Sequence, residues 1–153
     1  MIGMIHRAIG GPARTRLVAA VAAVVTVVAG LAVRATAQGS VAKYAGDALY
    51  TVLILTLVVL VAPRSRPVAA AGAALAFSWA VEFLQLTALP AELSRQSVMA
   101  RLVLGSTFNA PDLLWYAVGA VLGWLAHTSF RRRPAPVSPP VPVRVRVRNG
   151  DAR

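Results

Sequence analysis

The sequence contains no cysteine. Disulfides, thiol nucleophiles and thiolate metal sites are excluded together. Acidic residues are scarce as well: five Asp and Glu stand against sixteen Lys and Arg, for a formal net charge of +11. The two histidines, His6 and His127, stand alone, so neither a metal nor a cofactor is expected. HExxH, P-loop, GxSxG and dinucleotide-binding patterns are all missing, which removes the usual signatures of hydrolysis, phosphate binding and hydride transfer. Charged residues make up only 14% of the chain and hydrophobic ones 58%, a balance that excludes an ordinary soluble domain. In a soluble chain the basic excess would suggest nucleic acid. Here the bases flank apolar runs, so the expected partner is membrane lipid and not nucleic acid.

Four apolar segments dominate what is present, with cores at Leu17–Val33, Ala48–Ala62, Val68–Leu89 and Leu113–Phe130. Each approaches the roughly 20 residues that carry a helix across a bilayer. The second extends back to about Val41, which places Lys43, Tyr44 and Asp47 on its first turns. None shows the period-2 alternation of barrel strands, so the expectation is an all-α integral membrane protein, a bundle of four transmembrane helices over residues 17–130. A basic arm, 1–16, precedes it. A Pro/Arg-rich tail, 131–153, follows and is too polar to bury a core. The connection from Pro90 to Asn109 is long and rich in apolar residues, which predicts an interfacial or re-entrant segment returning Arg95 and Arg101 over the bundle.

Basic residues fix an expected orientation. With four crossings, the N-terminal arm, the turn at Arg64 and Arg66 and the C-terminal tail share one face and carry twelve Lys and Arg, against four on the other. Positive loops stay preferentially in the cytoplasm, so both termini are expected there. A second reading stands beside this one: the basic arm, first apolar run and Ala35-Thr36-Ala37 also match a secretory signal cleaved before Gln38.

On this topology Asp47, Glu82, Glu92 and Asp112 fall in the outer half, together with Arg34, Lys43, Arg95 and Arg101. Glu82 lies seven residues before Leu89, roughly 10 Å below the expected helix end. A lone charge there is costly, so it needs a partner, a proton or water. Ser78, Glu82 and Gln85 share one helix face at spacing i, i+4, i+7; Asp112, Tyr116, Gly119 and Gly123 share another, the last two forming a GxxxG pattern. Thr26, Gly30 and Arg34 form a third stripe. The candidate polar site therefore comprises Arg34, Lys43, Asp47, Glu82, Gln85, Arg95, Arg101, Asp112 and Tyr116. Two readings of Glu82 remain open, a structural partner of Arg34 or Arg95 and a functional carboxylate. Asp112 is likewise either a helix-start residue after Asn109-Ala-Pro or a functional acid. Trp79, Trp115, Trp124 and Tyr50 read as packing or interface-belt residues.

The segments Lys43-Tyr-Ala-Gly-Asp47, Val81-Glu-Phe-Leu-Gln85, Arg95-Gln-Ser97, Leu104-Gly-Ser-Thr-Phe108 and Asp112-Leu-Leu-Trp-Tyr116 with Gly119 resemble bacterial membrane proteins of the domain of unknown function 2809 family, over about Leu17 to Phe130. More remotely, Glu82, Gln85, Arg95, Asp112, Gly119 and Gly123 resemble the pattern of VanZ-like membrane proteins, some of them linked to glycopeptide-antibiotic resistance. The resemblance implies a bacterial plasma membrane protein and a common helix-pair architecture rather than a common activity. The leading expectation is an accessory protein with an outward-facing polar pocket for a lipid headgroup or cell-envelope precursor. The alternative is a membrane-embedded enzyme acting on a lipid-linked substrate, with Glu82 or Asp112 as general acid or base. Proton or solute transport through an oligomer ranks third. Which small molecule or precursor is bound, and whether the protein is an oligomer, are open at this point.

Overall fold

Proline and glycine punctuate the chain where its helices begin and end. The computed structural model describes residues 11–105 and 107–132; the Pro/Arg-rich tail beyond 132 and most of the basic arm lie outside them. Six helices are present among the described residues: α1 Pro12–Thr36, α2 Gly39–Val61, α3 Pro67–Leu84, α4 Leu89–Gln96, α5 Val98–Leu104 and α6 Ala110–Arg131. Pro12, Pro67, Pro90 and Pro111 occupy the first turns of α1, α3, α4 and α6. A first-turn N–H has no intrahelical acceptor, so proline sacrifices nothing there and sets the helical φ. α1, α2, α3 and α6 are each long and apolar enough to cross a membrane. The expected four-helix membrane architecture is therefore the observed one.

α2 is the centre of the bundle and packs against α1, α3 and α6, while α6 also packs on α3. Between α2 and α3 the core is made of Leu55 and Val59 against Ala70, Ala71 and Ala74, with Ala19 of α1 added at the side. Small side chains let the backbones close up, which matters because lipid tails give apolar helices no reason to leave them. Thr51 and Ser78, both fully buried, add a hydrogen bond of 3.0 Å between α2 and α3. The GxxxG face of α6 lies on α2. A Cβ at Gly119 would fall on the backbone carbonyl of Ala48, and one at Gly123 would stand 2.7 Å from Leu55 Cδ1. α1 is the peripheral member: Val21, Val24, Val25, Val28 and Leu31 are all exposed, as a lipid-facing helix requires.

One expectation changes. The third span stops at Leu84, not Leu89. After it the backbone tightens into turns, Leu86 N–H to Phe83 O and Thr87 N–H to Leu84 O, and the Thr87 hydroxyl donates to Leu84 O at 2.7 Å. That side-chain bond competes with helix continuation, and Pro90 then opens α4. Glu82 consequently lies two residues from its helix end, not seven. The long connection holds two short helices, α4 and α5, packed on each other. Gly105 ends α5 with φ 65°, a left-handed conformation open to glycine.

Candidate functional site

The start of α6 assembles a polar network with the start of α2 and the end of α3. Asn109, the residue preceding α6, has extended backbone, which turns its N–H toward α3. That N–H donates to Glu82 Oε1 at 2.6 Å, while the Tyr116 hydroxyl donates to Glu82 Oε2 at 3.1 Å. Glu82 is 0% exposed. Its two oxygens are thus each engaged by a neutral donor, and no arginine reaches it among the described residues. The Asn109 side chain continues the network by donating from Nδ2 to Asp112 Oδ1, and Lys43 donates from Nζ to Asp112 Oδ2. Lys43 also pairs with Asp47 at 3.5 Å, one turn along α2. The chain of contacts runs Lys43, Asp112, Asn109, Glu82, Tyr116, with Glu82 the most deeply buried member. Lys43 keeps 44% of its side chain exposed while the Asp112 side chain keeps 5%.

Aromatic contacts hold the same region. Tyr44 and Trp115 stack at 5.3 Å with 13° between ring planes, Tyr50 and Tyr116 tilt together at 6.1 Å, and Trp79 Nε1 donates to Leu113 O at 3.1 Å. Each ties α6 to α2 or α3 near the network. Chemically, the arrangement is a latch: each oxygen of Glu82 and of Asp112 accepts a bond from a group on another element or at the start of α6, and these bonds fix the helices.

A second polar feature lies on the α4–α5 connection. Ala91, Ser94, Arg95, Arg101 and Thr107 line an open cleft of about 460 Å³. Arg95 pairs with Glu92 on its own helix, whereas Arg101 has no acidic partner among the described residues. The cleft floor is held by Gln85 Nε2 donating to Leu104 O at 2.7 Å and Ser94 Oγ donating to Gly105 O at 2.8 Å. Leu93, Val98, Met99, Leu102 and Val103 of the same two helices are exposed. Cations beside outward apolar side chains are what a bilayer interface accommodates. No three His, Asp or Glu side chains converge as metal ligands among the described residues.

A family model described as protein of unknown function (DUF2809) matches residues 36–120, more than half of the chain. The chain belongs to the DUF2809 family. No curated protein and no solved structure matches it. The DUF2809 match takes in Lys43, Asp47, Glu82, Gln85, Arg95, Arg101, Asp112 and Tyr116, and leaves out Arg34.

Within this DUF2809 chain the nine candidate residues separate into three groups. Lys43, Asp47, Glu82, Asp112 and Tyr116 come together in the network. Gln85, Arg95 and Arg101 belong to the connection, Gln85 as its anchor and the arginines as its cleft. Arg34 stands apart, exposed in the last turn of α1, and Gly30 beside it on that stripe has nothing within 4 Å. α1 leans on α2 through its buried Ala19 and Thr26. Asn109 was absent from the candidates although it bridges two carboxylates. Its signal was the helix-start pattern Asn-Ala-Pro-Asp, in which the residue before the helix has both a free N–H and a capping side chain.

Proposed function

We propose that this protein is an accessory protein of the bacterial plasma membrane that recognises an anionic headgroup, of a lipid or a lipid-linked envelope precursor, in the α4–α5 cleft. The observation that carries the reading is Arg101: an exposed guanidinium without an acidic partner among the described residues, lining one cleft with Arg95 on a connection whose large apolar side chains are exposed. Guanidinium groups bind phosphate oxygens through paired, charge-assisted hydrogen bonds. In this reading Lys43, Asp47, Asp112, Asn109 and Glu82 are the frame that holds α6 against α2 and α3, and so fixes where the connection leaves and re-enters the bundle. The basic excess at the opposite end supports a cytoplasmic placement of both termini and an outward-facing cleft. The engagement of every Glu82 and Asp112 oxygen in bonds that tie helices together favours a framing role for them over acid–base catalysis.

Lipid retained by the full chain after detergent exchange tests the reading. Mixtures of phosphatidylglycerol and phosphatidylcholine are offered, and native mass spectrometry counts what stays bound. Arg101→Ala is expected to weaken the cleft-bound phosphatidylglycerol about tenfold, read as the loss of one bound lipid per chain, in line with loss of a charge-assisted contact, while Arg34→Ala leaves the count unchanged. Equal loss in both variants, or no loss in Arg101→Ala, would remove the cleft as the recognition site.

A further inference from the structure

At the opposite end of the bundle α1, α2 and α6 enclose an apolar crevice of about 160 Å³. Val18, Ala19, Leu55, Val59 and Phe130 are among its lining residues, and so is His127. An apolar cavity of about this size stays dry and accepts hydrocarbon. His127 is 7% exposed, and neither ring nitrogen has a hydrogen-bond partner. The crevice hydroxyls do not serve it: Thr15 and Thr56 turn to Gly11 O and Leu53 O on their own helices and lie beyond hydrogen-bond reach of the imidazole. A neutral imidazole carries one N–H, and buried donors are almost always matched by an acceptor. The missing acceptor must therefore arrive with whatever fills the crevice.

The surroundings define that occupant. His127 lies four residues before Arg131, about 6 Å deeper along the helix axis. At the rim, the Arg14 guanidinium sits 5.6 Å from the centre of the Phe130 ring, Arg16 Nε donates to Leu60 O and Arg131 Nη1 donates to Ser65 O. Arg64, Arg66 and Arg132 belong to the same end, and no acidic residue does among the described residues. An anionic group at the rim, an ester carbonyl one helical turn below it and hydrocarbon beneath are, in that order, the parts of a phospholipid. We infer that the α1–α2–α6 crevice seats an acyl chain of an anionic diacyl phospholipid, with its ester carbonyl accepting from His127 and its phosphate among the rim arginines. The seat is separate from the α4–α5 cleft and does not depend on what that cleft binds.

The test uses the full chain on an Arg101→Ala background, so that lipid held by the cleft does not contribute. Ester-linked phosphatidylglycerol and its diether analogue, which lacks the carbonyl, compete for the protein and are counted by native mass spectrometry. The ester form is expected to be retained about fivefold over the diether, the effect of one hydrogen bond. His127→Phe brings the ratio to one. Ala126→Phe, at an exposed position on the crevice edge, removes bound lipid and leaves the melting temperature of the lipid-free protein unchanged. Phosphatidylcholine is retained less than phosphatidylglycerol. Equal retention of ester and diether by the His127 form overturns the carbonyl contact, and undiminished lipid in Ala126→Phe overturns the seat itself.

Discussion

Glu82 is held by two donors that come from one short stretch, the backbone of Asn109 and the hydroxyl of Tyr116. Removing its oxygens leaves both donors buried and unmatched, at about 1–3 kcal/mol each, less where a membrane-embedded unfolded state finds other partners. Glu82→Leu is therefore expected to destabilise the bundle by about 2–4 kcal/mol. Glu82→Gln keeps one acceptor and should cost about half as much; Tyr116→Phe should cost about 1 kcal/mol. Unfolding of the purified protein in detergent checks the order. An arginine-paired glutamate would behave otherwise, since loss of the carboxylate would strand a charge.

The identity of that partner was not legible in the sequence. Depth and scarcity of acids marked Glu82 as a residue needing compensation, and charge alone suggested arginine. A backbone N–H has no letter of its own, and which peptide group faces α3 depends on the extended conformation at Asn109. Arg34 and Arg95 illustrate the converse. Their charge is plain in the sequence, but α1 leans on α2 and leaves Arg34 exposed, while Arg95 is taken by Glu92 one turn away.

At the scale of helices, the four spans and the restart of α6 after Asn109 followed from hydrophobic length and from Pro111. The early end of α3 did not, because it depends on a threonine hydroxyl taking a carbonyl that helix continuation needed. The GxxxG face was legible as a close-approach surface, though the helix it approaches was not. Its two glycines are unequal. At Gly119 an added methyl meets backbone of α2, which cannot move aside, whereas at Gly123 it meets the end of the Leu55 side chain, which can rotate. Gly119→Ala is thus expected to cost at least 2 kcal/mol and to loosen α6, while Gly123→Ala should cost under about 1.5 kcal/mol. Thermal unfolding of the two variants side by side distinguishes the cases.

For the molecule as a whole, four crossings put the turn between α2 and α3 and the α4–α5 connection on opposite sides of the membrane. The absence of native cysteine makes this directly measurable. A single cysteine at Arg64→Cys is expected to react with a membrane-impermeant maleimide from one side only, and one at Gln96→Cys only from the other; the orientation proposed above makes the first side cytoplasmic. Both positions are exposed. Labelling of both from one side would contradict the crossing number.

The latch at Glu82 also bears on how the protein is made. Its donors lie 27 and 34 residues further along the chain. When α3 enters the bilayer during synthesis, its carboxylate has no match until the last helix follows. A nascent product halted at residue 105 therefore displays an unsatisfied acid within the membrane, the kind of lesion that quality-control proteases act upon. Such a truncated chain is expected to be cleared faster than the same truncation carrying Glu82→Leu, as a pulse-chase comparison would reveal. The residue that stabilises the finished bundle thus marks the unfinished one for destruction.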